Sequence, residues 1–186
     1  MYLRKLLVLV VCVSILLSCY KDGVDPGQLL KNADVETGSL VPSEWRLLGG
    51  DNHIVRLSEE ESVSPVRSLE ISLDTPDPDF SGYWYQYICD EIPVGKALTL
   101  WVMVKGRDIA GDGINLVIAG QRKSSFSYDN LARSYDEGPI TGTFDWTKYE
   151  VKLEKVDEDI ACLAVFLQYL PNTTGTVYFD DIYLLF

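Results

Sequence analysis

Eight short apolar-rich runs, separated by clusters of Gly, Pro, Asp and Asn, constrain this chain more than any other feature. They span residues 53–57, 66–73, 83–89, 98–105, 114–119, 148–153, 161–169 and 177–185. Between them stand turn formers such as Asp74-Thr75-Pro76-Asp77-Pro78, Gly111-Asp112-Gly113, Asp136-Glu137-Gly138-Pro139 and Pro171-Asn172-Thr173-Thr174-Gly175. Glycine supplies positive φ and proline presets a turn, so chain reversals are expected at these points. No segment shows a long helical repeat, and the pattern predicts an all-β sandwich.

Residue parity within the runs indicates which faces are buried, because successive side chains of a strand point to opposite sides. In 98–105, Leu98, Leu100, Val102 and Val104 form the core set, leaving Thr99, Trp101, Met103 and Lys105 on the other face. In 161–169, Leu163, Val165 and Leu167 face the core, with Cys162, Ala164, Phe166 and Gln168 opposite. The run 83–88 carries aromatics on both sides, so apolarity does not orient it. The amide of Gln86 leads to the expectation that Trp84 and Gln86 face outward and that Tyr83, Tyr85 and Tyr87 face the core.

The chain starts with a different kind of segment. Arg4 and Lys5 precede an uncharged apolar run, 6–17, which is short for a bilayer span and suits the core of a secretory signal. It ends in Leu16-Leu17-Ser18-Cys19, which resembles a bacterial lipobox, with Cys19 as the lipidated residue. Residues 1–18 are expected to be a lipoprotein signal and 19–29, rich in charge, Gly and Pro, a tether. Residues 30–186 form a single domain, large enough for one substantial core. Outer-membrane attachment is expected, at the cell surface or on the periplasmic face. Lys21 and Asp22 after Cys19 faintly resemble a surface-export signal of Bacteroides-like lipoproteins.

With 28 acidic and 16 basic residues, the formal net charge is −12. Such a chain repels nucleic acid, and neutral glycans suit it better than acidic ones. Acidity also keeps an exposed protein soluble without further function. Cys89 and Cys162 lie in strand-like runs and either pair or stay as two buried thiols.

The motifs Asn32-Ala33-Asp34-Val35-Glu36-Thr37-Gly38, Ser81-Gly82-Tyr83-Trp84-Tyr85-Gln86-Tyr87-Ile88, Gly142-Thr143-Phe144-Asp145-Trp146 and Gly175-Thr176-Val177-Tyr178-Phe179-Asp180-Asp181 together resemble carbohydrate-binding modules of families 4, 9 and 22. The likeness runs over 30–186 and implies a galactose-binding-domain-like jelly roll. It also implies a structural calcium ion held by Glu36 and Asp180, with Asp34 and Asp181 as lesser alternatives, although Val35 replaces the aromatic usual in the opening motif. Trp45 and Trp146 would then be structural.

Sugar recognition combines flat rings, which cover the C–H faces of pyranoses, with amides that bond hydroxyls. The candidate binding residues are therefore Trp84, Gln86, Trp101, Phe166 and Gln168, with the polar segment 124–135 as a rim. A protein-binding or adhesive module is the alternative. Catalysis is not expected: His53 is the single histidine, and no nucleophile motif accompanies it. The anticipated partners are a polysaccharide or oligosaccharide, the membrane through the lipid anchor only, and glycan-degrading or importing envelope proteins.

Overall fold

A computed structural model describes residues 27–49, 54–79 and 81–186. Residues 1–18, expected to be a signal, together with Cys19 and His53, lie outside the described residues. Among the described residues nine strands follow in order: β1 (Arg46–Leu48), β2 (Ile54–Ser58), β3 (Ser68–Leu73), β4 (Gly82–Ile88), β5 (Leu98–Arg122), β6 (Tyr128–Arg133), β7 (Ile140–Leu153), β8 (Ile160–Tyr169) and β9 (Thr174–Leu185). Among the described residues a single 3-10 turn, Ser134–Glu137, interrupts them.

β5 is the strand around which the others assemble. Its first half pairs with β7 and β9, and its second half with β6 and β8, so one strand belongs to both layers. One layer runs β1-β4-β8-β5-β6 and the other β7-β5-β9-β3-β2, all pairs antiparallel. The Gly111-Asp112-Gly113 stretch was expected to end a strand, yet the strand bends there and continues. Gly111 has φ +86, and a side chain on it would collide with the Asn172 carbonyl, so only glycine allows this corner.

The core lies between the layers and follows parity. Leu100, Val102 and Val104 of β5 and Val177, Phe179, Ile182 and Leu184 of β9 are buried from one side. Leu163, Val165 and Leu167 of β8 and Leu116 and Ile118 of β5 meet them from the other. Each such side chain contributes about 1.5–3 kcal/mol on leaving water. The architecture is the expected jelly-roll β-sandwich.

The start of the described chain straps the two layers together. Leu29 donates to the Leu184 carbonyl at 2.9 Å, and Ile182 donates to the Ala33 carbonyl at 2.8 Å. Trp45 is buried beneath this strap and donates its indole N–H to the Asn32 carbonyl at 2.9 Å, as its structural assignment requires. Trp146 is only half-buried.

Candidate functional site

β4 has the opposite orientation to the one expected from its amide. Trp84 has no exposed surface and Gln86 is 3% exposed, so both point into the core. The Trp84 indole donates to the Glu70 carbonyl at 3.3 Å. Gln86 is tolerated inside because the strap satisfies both ends of its amide. Its Oε1 accepts from the Lys31 N–H at 2.8 Å, and its Nε2 donates to the Lys31 carbonyl at 3.0 Å. A buried amide with two backbone partners costs little, whereas the same group alone would be costly. Trp84 and Gln86 are thereby removed from the expected binding face.

The other parity of β4 supplies that face. Tyr83, Tyr85 and Tyr87 project outward, and β8 adds Phe166 between them through the pairing of Tyr85 with Phe166. The Tyr85 and Phe166 rings are stacked at 5.7 Å and 26°, and Tyr83 meets Phe166 edge-on at 5.7 Å. β6, read in the sequence as a polar loop, carries Tyr128 onto the same surface, stacked on Tyr87 at 5.0 Å and 19°. Aromatic contacts in these geometries are favourable beyond their buried area and hold the rings in place.

Phe166 and Gln168 lie on this face, as parity predicted. Gln168 accepts from the Asn115 amide at 2.8 Å, and Asn115 accepts from the Tyr135 N–H at 3.1 Å. Burial holds the Tyr83, Tyr87 and Tyr128 phenols above their ordinary range, so they remain protonated at neutral pH. Cys89 and Cys162 form a disulfide at the end of this face, joining β8 to the segment that follows β4. Just before β6, Phe126 is fully exposed.

Trp101 faces outward as expected, but from the other layer. Its ring stacks on Tyr183 at 4.2 Å and 20°, with the Lys148 ammonium 4.9 Å from the Trp101 centroid. The structure therefore separates Trp101 from Phe166 and Gln168 by the thickness of the sandwich. The tyrosines were missed because a Tyr ring serves a core or a surface equally well. The contact between Gln86 and Lys31, which decides the orientation, is 55 residues long-range.

Glu36 and Asp180 come together at the loop after β2. Asp180 Oδ2 accepts from the Val63 N–H at 2.7 Å and the Ser64 N–H at 2.9 Å. Its Oδ1 accepts from the Ser64 hydroxyl at 2.8 Å and the Asp181 N–H at 2.7 Å. Glu36 Oε1 accepts from the Val66 and Arg67 N–H groups, both at 3.0 Å. Burial raises the Asp180 carboxyl against the opposing pull of these bonds. Asp181 is pushed up to about 6, first by burial and then by the charges of Asp180, Asp34 and Glu36. Among the described residues, no three acidic, His or Cys side chains form a group able to hold a metal ion. The four hydrogen bonds on Asp180 occupy all the lone pairs that its two oxygens offer.

Neither any protein-family model nor any curated protein matches the sequence. Solved structures do. A xylan-binding domain of carbohydrate-binding module family 22 shares 15% identity over 87% of this chain and 96% of its own, at a TM-score of 0.57. A family 4 module shares 18% over 83% of this chain and 97% of its own, also at 0.57. The fold is that of these carbohydrate-binding modules. The same jelly roll serves other ends: a cyclase from Fischerella sp. TAU matches at a TM-score of 0.62 with 14% identity, over 85% of this chain and 96% of its own. The chain spans 21% of the length of another match, the enzymatically active domain of bacteriophage CBA120 tailspike protein 4.

Proposed function

We propose that this protein binds a polysaccharide or oligosaccharide, without catalysis, on the outer face of the β1-β4-β8-β5-β6 layer. One observation carries the reading: Tyr83, Tyr85, Tyr87, Tyr128 and Phe166 form a contiguous ring surface there, each ring within 6.4 Å of a neighbour. Sugar rings stack on such surfaces through their C–H faces, and Gln168 and the phenols supply hydrogen bonds to hydroxyls. Fold alone does not set function, so the site carries the argument. The xylan-binding domain of the same fold is in keeping with it. The outward strand positions of this face include no carboxylate that would act as a glycosidase acid or base, which favours binding over hydrolysis.

A structural calcium ion at Glu36 and Asp180 belongs to the same proposal, and its binding would have to displace at least one of the four hydrogen bonds on Asp180. The crowding of Asp34, Glu36, Asp180 and Asp181 supports it, because a divalent cation relieves like-charge repulsion. The amide bonds to Glu36 and Asp180 support a loop clamp that works without the ion. Lipid attachment at Cys19 and an outer-membrane location are proposed from the sequence at the start of the chain.

A second reading, a protein-binding surface, is favoured by the Trp101 and Tyr183 stack on the opposite layer. Affinity electrophoresis of the purified protein and its Tyr85→Ala variant on a polysaccharide panel tests the main reading. Retardation lost with Tyr85→Ala supports it; no retardation by any polymer transfers the weight to the protein-binding surface.

A further inference from the structure

The tyrosine face has a charge character opposite to that of the whole chain. Its outward strand positions, on β1, β4, β8, β5 and β6, include no Asp or Glu. Arg46 stands at one edge. It pairs with Tyr85 in the ladder and holds its guanidinium 5.6 Å from the Tyr87 ring centroid, within cation–π range. It has no carboxylate partner among the described residues.

Every other described arginine has one. Arg56 pairs with Glu70, Arg67 with Glu59, Arg107 with Glu61, Arg122 with Asp159 and Arg133 with Asp136. In a chain with 28 acidic residues, an exposed arginine lying on an aromatic surface and lacking an acid is a free counter-charge. The acids nearest the far edge are already engaged: Asp129 with Arg122 at 3.6 Å, and Asp136 with Arg133 at 2.6 Å.

The hydrogen-bonding inventory points the same way. Gln168 uses its Oε1 on Asn115, and its Nε2 has no acceptor among the described residues. Asn115 uses its Oδ1 on Tyr135 and Ser134. The face thus offers a guanidinium, the amides of Gln168, Gln121 and Asn130, and phenols, which donate and accept, but no carboxylate. Neutral sugar hydroxyls must donate as well as accept, and carboxylates are strong acceptors for them. A face with an unpaired cation and no anion suits a ligand that carries the anion.

From these placements we infer that the glycan carries carboxylates, as a uronic-acid polymer does, and that Arg46 is the residue that selects it. The planar guanidinium fork matches a planar carboxylate in two parallel hydrogen bonds, while the sugar ring lies on Tyr85 and Tyr87. The net charge of −12 opposes a polyanion only at long range, because exposed charges are screened beyond about 8 Å at physiological salt. The inference runs against the expectation, drawn from net charge, that neutral glycans fit better. The inference rests on the carbohydrate-binding reading of the same face.

The test compares one polymer in two forms: polygalacturonate and glucuronoxylan, each before and after chemical reduction of the carboxyl to a primary alcohol. Binding of the purified protein is measured by affinity electrophoresis and calorimetry. Loss of a charge-assisted bond is expected to weaken the reduced form about ten-fold. Arg46→Gln should bring the acidic form to the same weakened level, with Arg46→Lys in between and all melting temperatures unchanged. Equal binding of the two forms, or an Arg46→Gln variant with undiminished affinity, overturns the role of Arg46 and leaves the carbohydrate reading intact. Tight binding only to a sulfated chain such as chondroitin sulfate overturns the carboxylate assignment. Failure of every polymer, acidic, reduced or neutral, overturns both.

Discussion

The indole N–H of Trp84 reaches across the sandwich to the carbonyl of Glu70, joining β4 of one layer to β3 of the other at 3.3 Å. Trp84→Ala removes this bond and opens a cavity in a fully buried position. A loss of about 3–5 kcal/mol of stability is expected, measured by denaturant unfolding. Its neighbour Tyr85 is half-buried on the outer face. Tyr85→Ala should shift the melting temperature little and abolish polysaccharide retention. A reversed pattern would place the binding face on the other side of β4.

Gln86 is a structural test of the same strand. Gln86→Leu keeps the volume and removes the partners of the Lys31 N–H and carbonyl. Leaving these part-buried groups unpaired costs about 1–3 kcal/mol. Amide exchange at Lys31 should accelerate, while exchange along β8 stays slow. Unchanged exchange at Lys31 would mean that the strap is held elsewhere.

The Cys89 and Cys162 disulfide closes a loop with a sequence separation of 73. Chain entropy alone sets a ceiling of about 4 kcal/mol for a loop of this length, and bridges of this kind typically contribute about 2–4 kcal/mol. The double variant Cys89→Ser with Cys162→Ser should lose that much in denaturant unfolding. Because the bridge sits beside Tyr87, glycan affinity measured well below the transition should fall by less than the stability does.

Asp181 makes stability depend on pH. Its folded-state carboxyl is raised to about 6, so the folded protein holds this proton more tightly than the unfolded chain. The stability so conferred is complete below the unfolded value of about 4 and is lost as pH rises through about 6. With solvent screening at this part-buried group allowed for, the raised carboxyl is worth about 1–2 kcal/mol. In chelator, the melting temperature should fall between pH 4.5 and 7, and Asp181→Asn should flatten that fall. Calcium at pH 7 is expected to raise the melting temperature of the unaltered protein. No response to calcium would leave Glu36 and Asp180 as clamps for the loop after β2.

The contrast between β5 and β4 shows how far local pattern reaches. Leu98, Leu100, Val102 and Val104 alternate with polar or mixed residues, and all four are buried as read. In β4 both parities are aromatic, and the one amide misled, because hydrogen bonds to Lys31 make Gln86 an interior residue. β6 was read as a loop because Tyr128-Asp129-Asn130-Leu131-Ala132-Arg133 lacks apolar alternation; its pairing with β5 alone makes it a strand.

The amino-acid order alone determined the all-β sandwich, the places of β2, β3, β4, β8 and β9, and the buried side of the first half of β5 and of β8. Those follow from period-two burial and turn chemistry, which act between near neighbours in sequence. Which side of β4 meets solvent, which layer carries Trp101, and which arginine lacks an acid were decided only by the tertiary structure. Each depends on a partner far away in the chain: Lys31 for Gln86, Tyr183 for Trp101 and Tyr87 for Arg46. Hydrogen bonds and ring contacts of that range have no periodic trace in the sequence, because either partner alone fits a core or a surface equally well.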